Sequence, residues 1–313
     1  MRALLTGAGY STADIASLTA SGYDVICRES VGAAELAALL PTLDAYVLGG
    51  DERLDAKAIA QAERLRVISF VGTGYGDFID VAAARARGID IRNTPGIASV
   101  AVAEHAVGLL LGLVRGLFAH NQAVKNGLAT PGATLELGRL EVGVVGLGNI
   151  GARVARMLRR GFGCHVRYHS RSRKPELEAE LELEHQTLGA LAASSDAIIL
   201  LLPLSPETTN LIGRDFFARC KPGAFLVNCA GARLVDPAAL KSALETGVLG
   251  AAAFDSYWVE PPPAPGDDTH GLLALPDARF VVTPHVAAKT KGSWDRMLHD
   301  AVANILGARN GVA

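Results

Sequence analysis

Three glycine-rich turns have the composition to bring backbone amides up to a phosphate. Only Gly146-Leu147-Gly148-Asn149-Ile150-Gly151 has complete GxGxxG spacing. It follows an apolar strand at Val142–Val145 and precedes a helix expected over Ala152–Arg160. The first glycine permits the tight turn, the second lets the backbone approach a pyrophosphate, and the third lets the helix pack on the strand. The helix N-terminus adds unpaired N–H groups and the positive end of a dipole. Gly7-Ala8-Gly9 lacks a third glycine at that spacing, and Gly72-Thr73-Gly74-Tyr75-Gly76 runs into Asp77 without a helix start. Residues 146–151 are therefore read as a dinucleotide site. The alternative is a tight strand–helix turn that holds no ligand.

The end of the next strand selects the cofactor. An acidic residue about 20 positions on takes the ribose hydroxyls of NAD. Here Val166–Tyr168 runs into His169-Ser170-Arg171-Ser172-Arg173-Lys174, with no carboxylate. Ser170, Arg171 and Arg173 are the hydroxyl and cationic groups that a 2′-phosphate needs. NADP is expected, with NAD the weaker candidate. The alternative is a solvated basic turn that balances the Glu-rich run 176–184, itself read as a solvated surface segment.

These turns need a scaffold, and the chain alternates short apolar runs with helix-like stretches. Leu4-Leu5, Tyr23–Cys27, Ala45–Leu48 and Val67–Phe70 read as strands, separated by Ala- and Leu-rich segments. A long helix is expected over Val100–Asn126, then a polar loop to Gly138. Strand candidates resume at Val142–Val145, Val166–Tyr168, Ala197–Leu202, Ala224–Asn228, Ala251–Asp255 and Arg279–Thr283, and a helix closes the chain at Gly292–Gly307. This alternation predicts parallel sheets covered by helices. A length of 313 residues suggests two domains.

Composition excludes several classes. The 30 basic and 32 acidic residues leave a net charge of −2, too balanced for a general nucleic-acid binder or a polybasic membrane protein. Cys27, Cys164, Cys220 and Cys229 form no CxxC pair, so neither a disulfide framework nor a metal site is expected. The opening segment reads as a strand rather than a signal peptide. The most apolar stretch, Ala106–Val114, is far shorter than the roughly 20 residues that span a bilayer. A cytoplasmic protein with no nucleic-acid or membrane partner is expected.

Further motifs follow in order along nearly the whole chain. They are Gly72-Thr73-Gly74 with Asp80, Asn93-Thr94-Pro95-Gly96, Val102-Ala103-Glu104-His105 with Arg115, and Glu136-Leu137-Gly138. After the GxGxxG turn come Pro203-Leu204-Ser205-Pro206-Glu207-Thr208, Lys221-Pro222-Gly223 leading to Asn228, Leu234-Val235-Asp236, Phe254-Asp255-Ser256-Tyr257, Glu260-Pro261 and Thr283-Pro284-His285. In this ordered combination the sequence resembles the D-isomer-specific 2-hydroxyacid dehydrogenases, of the glyoxylate/hydroxypyruvate reductase type.

The resemblance implies an α/β fold of two doubly wound, parallel-sheet (Rossmann/flavodoxin-like) domains with an interdomain cleft. Residues 1–98 plus 287–313 would form the substrate domain, and 99–286 the dinucleotide-binding domain. The implied chemistry is reduction of a small 2-oxo acid by a nicotinamide hydride, or the reverse. His285 matches the general acid/base, which gives a proton to the carbonyl oxygen as hydride arrives. Glu260 matches its carboxylate partner. Besides Gly146, Gly148, Asn149, Ile150 and Gly151, cofactor contacts are implied for Leu202, Pro203, Thr208, Cys229, Ala230, Gly231, Asp255 and His285. Gly72, Thr73 and Gly74 would offer amides to the substrate carboxylate. His105 and His270 also resemble family positions and are read as structural. A homodimer is implied.

One position departs from the family. Its pattern Asn-x-Ala-Arg-Gly-x-Leu-Val-Asp carries the arginine that binds the substrate carboxylate. Here the residues are Asn228-Cys229-Ala230-Gly231-Ala232-Arg233-Leu234-Val235-Asp236. Gly231 holds the arginine position and Arg233 lies two residues on. In an extended loop residue i+2 shares the face of residue i, about 6–7 Å along, so Arg233 could act in its place as a catalytic group. It could equally turn outward at the start of the next helix. The alternatives to an NADP-linked oxidoreductase of ordinary 2-oxo acids are a non-catalytic NADP(H)-binding sensor or corepressor-like protein, and a dehydrogenase whose substrate needs no arginine clamp.

Overall fold

The computed structural model describes residues 1–128 and 134–310. Runs such as Ala45-Tyr46-Val47-Leu48 and Ala197-Ile198-Ile199-Leu200 are buried at every position. Strands covered by helices on both faces have this unbroken apolar pattern, because neither face meets water.

Five strands, β1 (Arg2–Thr6), β2 (Asp24–Arg28), β3 (Ala45–Leu48), β4 (Val67–Phe70) and β5 (Asp90–Arg92), form one parallel sheet in the order β2-β1-β3-β4-β5. Seven more form a second parallel sheet: β6 (Glu141–Val145), β7 (His165–His169), β8 (Glu184–His185), β9 (Ala197–Leu200), β10 (Ala224–Asn228), β11 (Leu249–Phe254) and β12 (Phe280–Val282). Their order is β12-β11-β10-β9-β6-β7-β8. The order reverses between β6 and β9, the kind of switch point outside which open α/β sheets bind ligands. The chain divides into two compact units. One is Met1–Ala98 with the chain from Ala288 onward, and the other is Ser99–Ala287. The helix Lys291–Asn310 completes the first unit by laying Met297, Leu298, Ala301, Val302 and Ile305 against the sheet.

The structure corrects several element boundaries. The single helix expected over Val100–Asn126 is two, Ser99–Val114 and Leu117–Lys125, bent by 59°. Gly116 makes the break at φ +60°, a conformation that ends the helical ladder and that glycine adopts without strain. Among the described residues no single helix is long and apolar enough to cross a membrane. Of the polar stretch up to Gly138, residues 129–133 lie outside the described residues. The helix after β6 starts at Asn149 rather than Ala152 and passes at Arg156 into a π-turn over Met157–Phe162.

The Glu-rich run lies on the surface as expected, and it is ion-paired there. Pro175–Leu181 is a helix, and Glu180 pairs with Arg156 (2.7 Å) and Arg160 (2.9 Å). Glu182 pairs with Arg159, and Glu184 with Arg167 at 3.0 Å. The cations come from a segment some twenty residues earlier, which a local reading of charge does not connect.

Candidate functional site

β6 leads into Gly146 at φ +99°, where a Cβ would stand 2.7 Å from the Leu202 amide nitrogen and 2.8 Å from the Leu201 carbonyl carbon. A Cβ on Gly151 would lie 2.0 Å from the Gly146 oxygen, whereas nothing lies within 4 Å of one on Gly148. The outer glycines thus let the turn, the helix and the β9 exit close up, and the middle one faces open space. The helix Asn149–Arg156 has no side-chain cap, so its first-turn amides and dipole are available to an anion there. This cradle fits a dinucleotide pyrophosphate. By contrast, Gly7-Ala8-Gly9 is filled by the chain itself. Trp294 Nε1 donates to the Ala8 carbonyl at 2.8 Å, and Leu298 Cδ1 stands 3.7 Å from the Cβ position of Gly9.

In the first unit, the Gly72 amide donates to Thr94 Oγ1 at 2.9 Å, and Asn93 Nδ2 donates to the Thr73 carbonyl at 2.8 Å. The Gly72 amide is therefore engaged within the first unit.

At the end of β7, His169 stands where an acid would bind ribose hydroxyls. Its Nδ1 lies 2.9 Å from the Gln186 carbonyl, and its ring stacks on His185 at 6.2 Å and 23°. Ser170 Oγ donates to the Ser172 carbonyl at 2.6 Å. Arg171 is exposed. Across from it, Glu207 is held below the ordinary carboxylate range, first by the Ser205 hydroxyl and in part by the Arg171 charge. Arg173 is paired with Glu178, its Nε 3.1 Å from Oε1. That guanidinium and the Tyr168 hydroxyl draw the Glu178 pKa down to about 2. In the loop after β9, Thr208 Oγ1 donates to the Pro203 carbonyl at 3.0 Å and accepts the Ser205 amide at 2.7 Å, fixing the stretch beyond Leu202.

His285 follows β12 in a turn that Asp255 holds. Asp255, 4% exposed, accepts the Val286 amide at 3.0 Å, the Ala287 amide at 2.8 Å and the Thr283 hydroxyl at 2.6 Å. His105 Nε2 lies 3.1 Å from Thr283 Oγ1 and 3.4 Å from Asp255 Oδ1. Burial raises the Asp255 pKa, but these donors outweigh it and hold the carboxyl below its usual value. Bracketed in this way, His285 adopts φ +53°, a left-handed conformation that a non-glycine residue keeps only where its surroundings impose it. Its Nδ1 lies 3.1 Å from Glu260 Oε2. Asp255 was expected to contact cofactor, and the sequence did not reveal its grip on the His285 turn. The Asp255-Thr283 pairing links the ends of two strands that the sequence places 28 residues apart.

β10 ends beside this turn, since the Asp255 amide donates to the Asn228 carbonyl at 2.9 Å. The Asn228 side chain accepts from the Ala230 amide at 3.0 Å and donates to the Gly231 carbonyl at 3.1 Å. Burial pushes the Cys229 thiol up, and the Asp255 charge adds to the effect, so the thiol stays protonated. The loop is not extended past Gly231. Residues Ala232–Leu234 form a 3-10 turn with Arg233 exposed, and the Arg233 carbonyl accepts the Asn210 amide at 2.9 Å. The alternation that would align Arg233 with Gly231 does not operate in such a turn. Gly231 itself is at φ −109° and ψ 139°.

Comparison with known proteins gives the family. Residues 107–287 match the family described as D-isomer specific 2-hydroxyacid dehydrogenase, NAD binding domain. The chain is 34% identical over 270 residues to glyoxylate/hydroxypyruvate reductase B of Erwinia tasmaniensis, covering 85% of this chain and 82% of that one. It is 35% identical over 278 residues to the glyoxylate reductase of Thermococcus kodakarensis, covering 86% and 81%. Its fold superposes on the TT0316 protein of Thermus thermophilus with a TM-score of 0.85 at 33% identity, covering 99% and 97%. The chain belongs to the D-isomer-specific 2-hydroxyacid dehydrogenases, nicotinamide-dependent oxidoreductases of 2-hydroxy and 2-oxo acids.

Proposed function

We propose that the protein reduces a small 2-oxo acid, glyoxylate being the first candidate, with NADPH in preference to NADH. The observation that carries this is the His285–Glu260 contact of 3.1 Å at the carboxyl end of the sheet that bears the GxGxxG cradle. The Gly146–Gly151 cradle would hold the dinucleotide, and the chemistry its nicotinamide would supply when bound is hydride donation to a carbonyl carbon. His285 donates a proton to the carbonyl oxygen, and Glu260 holds the imidazole by Nδ1 so that Nε2 is the nitrogen turned to substrate. Asp255 keeps the turn in place through the amides of Val286 and Ala287. Thr73 and Gly74 bind the carboxylate by their backbone amides. The glyoxylate reductases among the relatives support the substrate choice. The absence of an acid after β7, with Ser170 and Arg171 in its place, supports the cofactor choice.

Gly231 favours a second reading. Without a guanidinium at that position, the substrate either lacks the usual carboxylate clamp or the protein binds NADPH without turnover. A panel of 2-oxo acids assayed with NADPH and with NADH separates the readings. Turnover of glyoxylate with NADPH is expected. Tight NADPH binding with no turnover of any acid would make the protein a cofactor sensor.

A further inference from the structure

Beneath the 169–173 turn lies a phenol with no exposed surface. The Tyr168 hydroxyl accepts the Lys174 amide at 2.8 Å and donates to Glu178 Oε1. It thereby ties the end of β7 to a backbone group six residues later. Glu178 also takes both the Nε and an Nη of Arg173, a planar two-point pair whose geometry is fixed. Within the turn, Ser170 is held twice, through its hydroxyl to the Ser172 carbonyl at 2.6 Å and through its carbonyl to His185 Nε2 at 3.3 Å. Were Arg173 to swing toward a ligand, Glu178 would lose its cation while still bonded to a buried phenol. Arg173, though its side chain is 67% exposed, is thus paired within the protein.

We propose that Tyr168, Glu178 and Arg173 form a clasp that presets the Ser170–Ser172 turn to receive a 2′-phosphate, with Arg173 a positioning residue rather than a phosphate ligand. The proposal rests on the NADP reading above. A receptor already in its bound shape loses less freedom on binding, so the clasp acts on affinity for the phosphorylated nucleotide alone.

The test uses 2′-phospho-ADP-ribose and ADP-ribose as probes, titrated calorimetrically into the whole protein. Tyr168→Phe keeps the ring and removes the hydroxyl. Glu178→Gln keeps the shape and removes the charge. Each variant is expected to weaken 2′-phospho-ADP-ribose about five-fold, the loss of one ordinary hydrogen bond, with ADP-ribose binding unchanged as proof of a folded domain. If Arg173 were a ligand restrained by Glu178, Glu178→Gln would instead tighten the phosphorylated probe. Tightening, no change, or equal weakening of both probes overturns the clasp. Failure of the NADP reading shows separately, because wild-type protein would then bind the two probes alike. The brace itself is read by hydrogen exchange of the Lys174 amide, which Tyr168→Phe must accelerate. Unchanged exchange overturns it whatever the nucleotide preference.

Discussion

Gly231 faces Leu204 at ordinary contact distance. A Cβ added to the glycine would lie 3.4 Å from Leu204 Cδ2 and 3.5 Å from its Cβ. The backbone there is in the region open to any L-residue. Gly231→Arg should therefore fold with little change in Tm. It should raise kcat/KM for glyoxylate about ten-fold, as a charge-assisted pair worth roughly 1.5 kcal/mol forms with the carboxylate. Arg233→Ala, at the exposed middle residue of an otherwise buried 3-10 turn, should change kcat/KM little. A steep loss in Arg233→Ala, restored by Gly231→Arg, would instead locate the clamp at Arg233.

His285→Ala should lower kcat by about 10²–10⁴-fold, the usual contribution of a general acid, with NADPH affinity retained. Glu260→Gln should cost less, since the imidazole keeps a hydrogen-bond partner on Nδ1. Stopped-flow hydride transfer measures the first and fluorescence titration of NADPH the second. A His285→Ala enzyme that keeps most of its rate would remove His285 from the chemistry.

Asp255 gives the fold an acid-sensitive point. Its carboxyl is held below 3.8 in the folded protein, because its donors outweigh the effect of burial. A depressed folded value stabilises the protein above the unfolded pKa, and that stability is lost as pH falls from about 4 toward the folded value. Asp255→Asn should lower stability near neutral pH and flatten the loss of stability as pH falls below about 4. Urea unfolding at several pH values measures both. The acid limb should be unchanged only if the folded carboxyl carries no charge advantage.

Arg171→Ala should reduce the kcat/KM preference for NADPH over NADH by about ten-fold, the value of one charge-assisted phosphate contact. Steady-state kinetics with both cofactors decides. An unchanged ratio would assign the discrimination to another group.

Long or strongly patterned features were legible before the structure. The GxGxxG turn and the buried strands Ala45–Leu48, Val67–Phe70 and Ala224–Asn228 declare themselves through local composition, whereas His285 stood out only through the resemblance to a family. Short strands do not. Asp90–Arg92 and Glu184–His185 are three and two residues long, too brief for any period to register. The 3-10 turn at Ala232–Leu234 has no signature either, so the direction of Arg233 could not be derived. Asp255 reads as a lone acid after a strand, and only parallel pairing of Phe254 with Val282 brings it to Thr283 and the amides beyond His285. Arg173 reads in the sequence as a phosphate-binding cation because Glu178, five residues on, shows its direction only once the helix Pro175–Leu181 is built.

The closing of the first sheet by the last helix fixes an order of events during synthesis. Ala3, Leu5, Ala45, Val47 and Val67 are covered by Met297, Leu298, Ala301, Val302 and Ile305. At roughly 5–20 residues per second, a ribosome that has finished residue 98 needs roughly 10–40 s more to reach residue 291. Throughout that interval one apolar face of the first sheet lacks its last helix and keeps only the cover of Leu18 and Tyr23, while the unit Ser99–Ala287 is contiguous and can complete its own core. The half of the protein made second can thus complete its core before the half made first has all of its own.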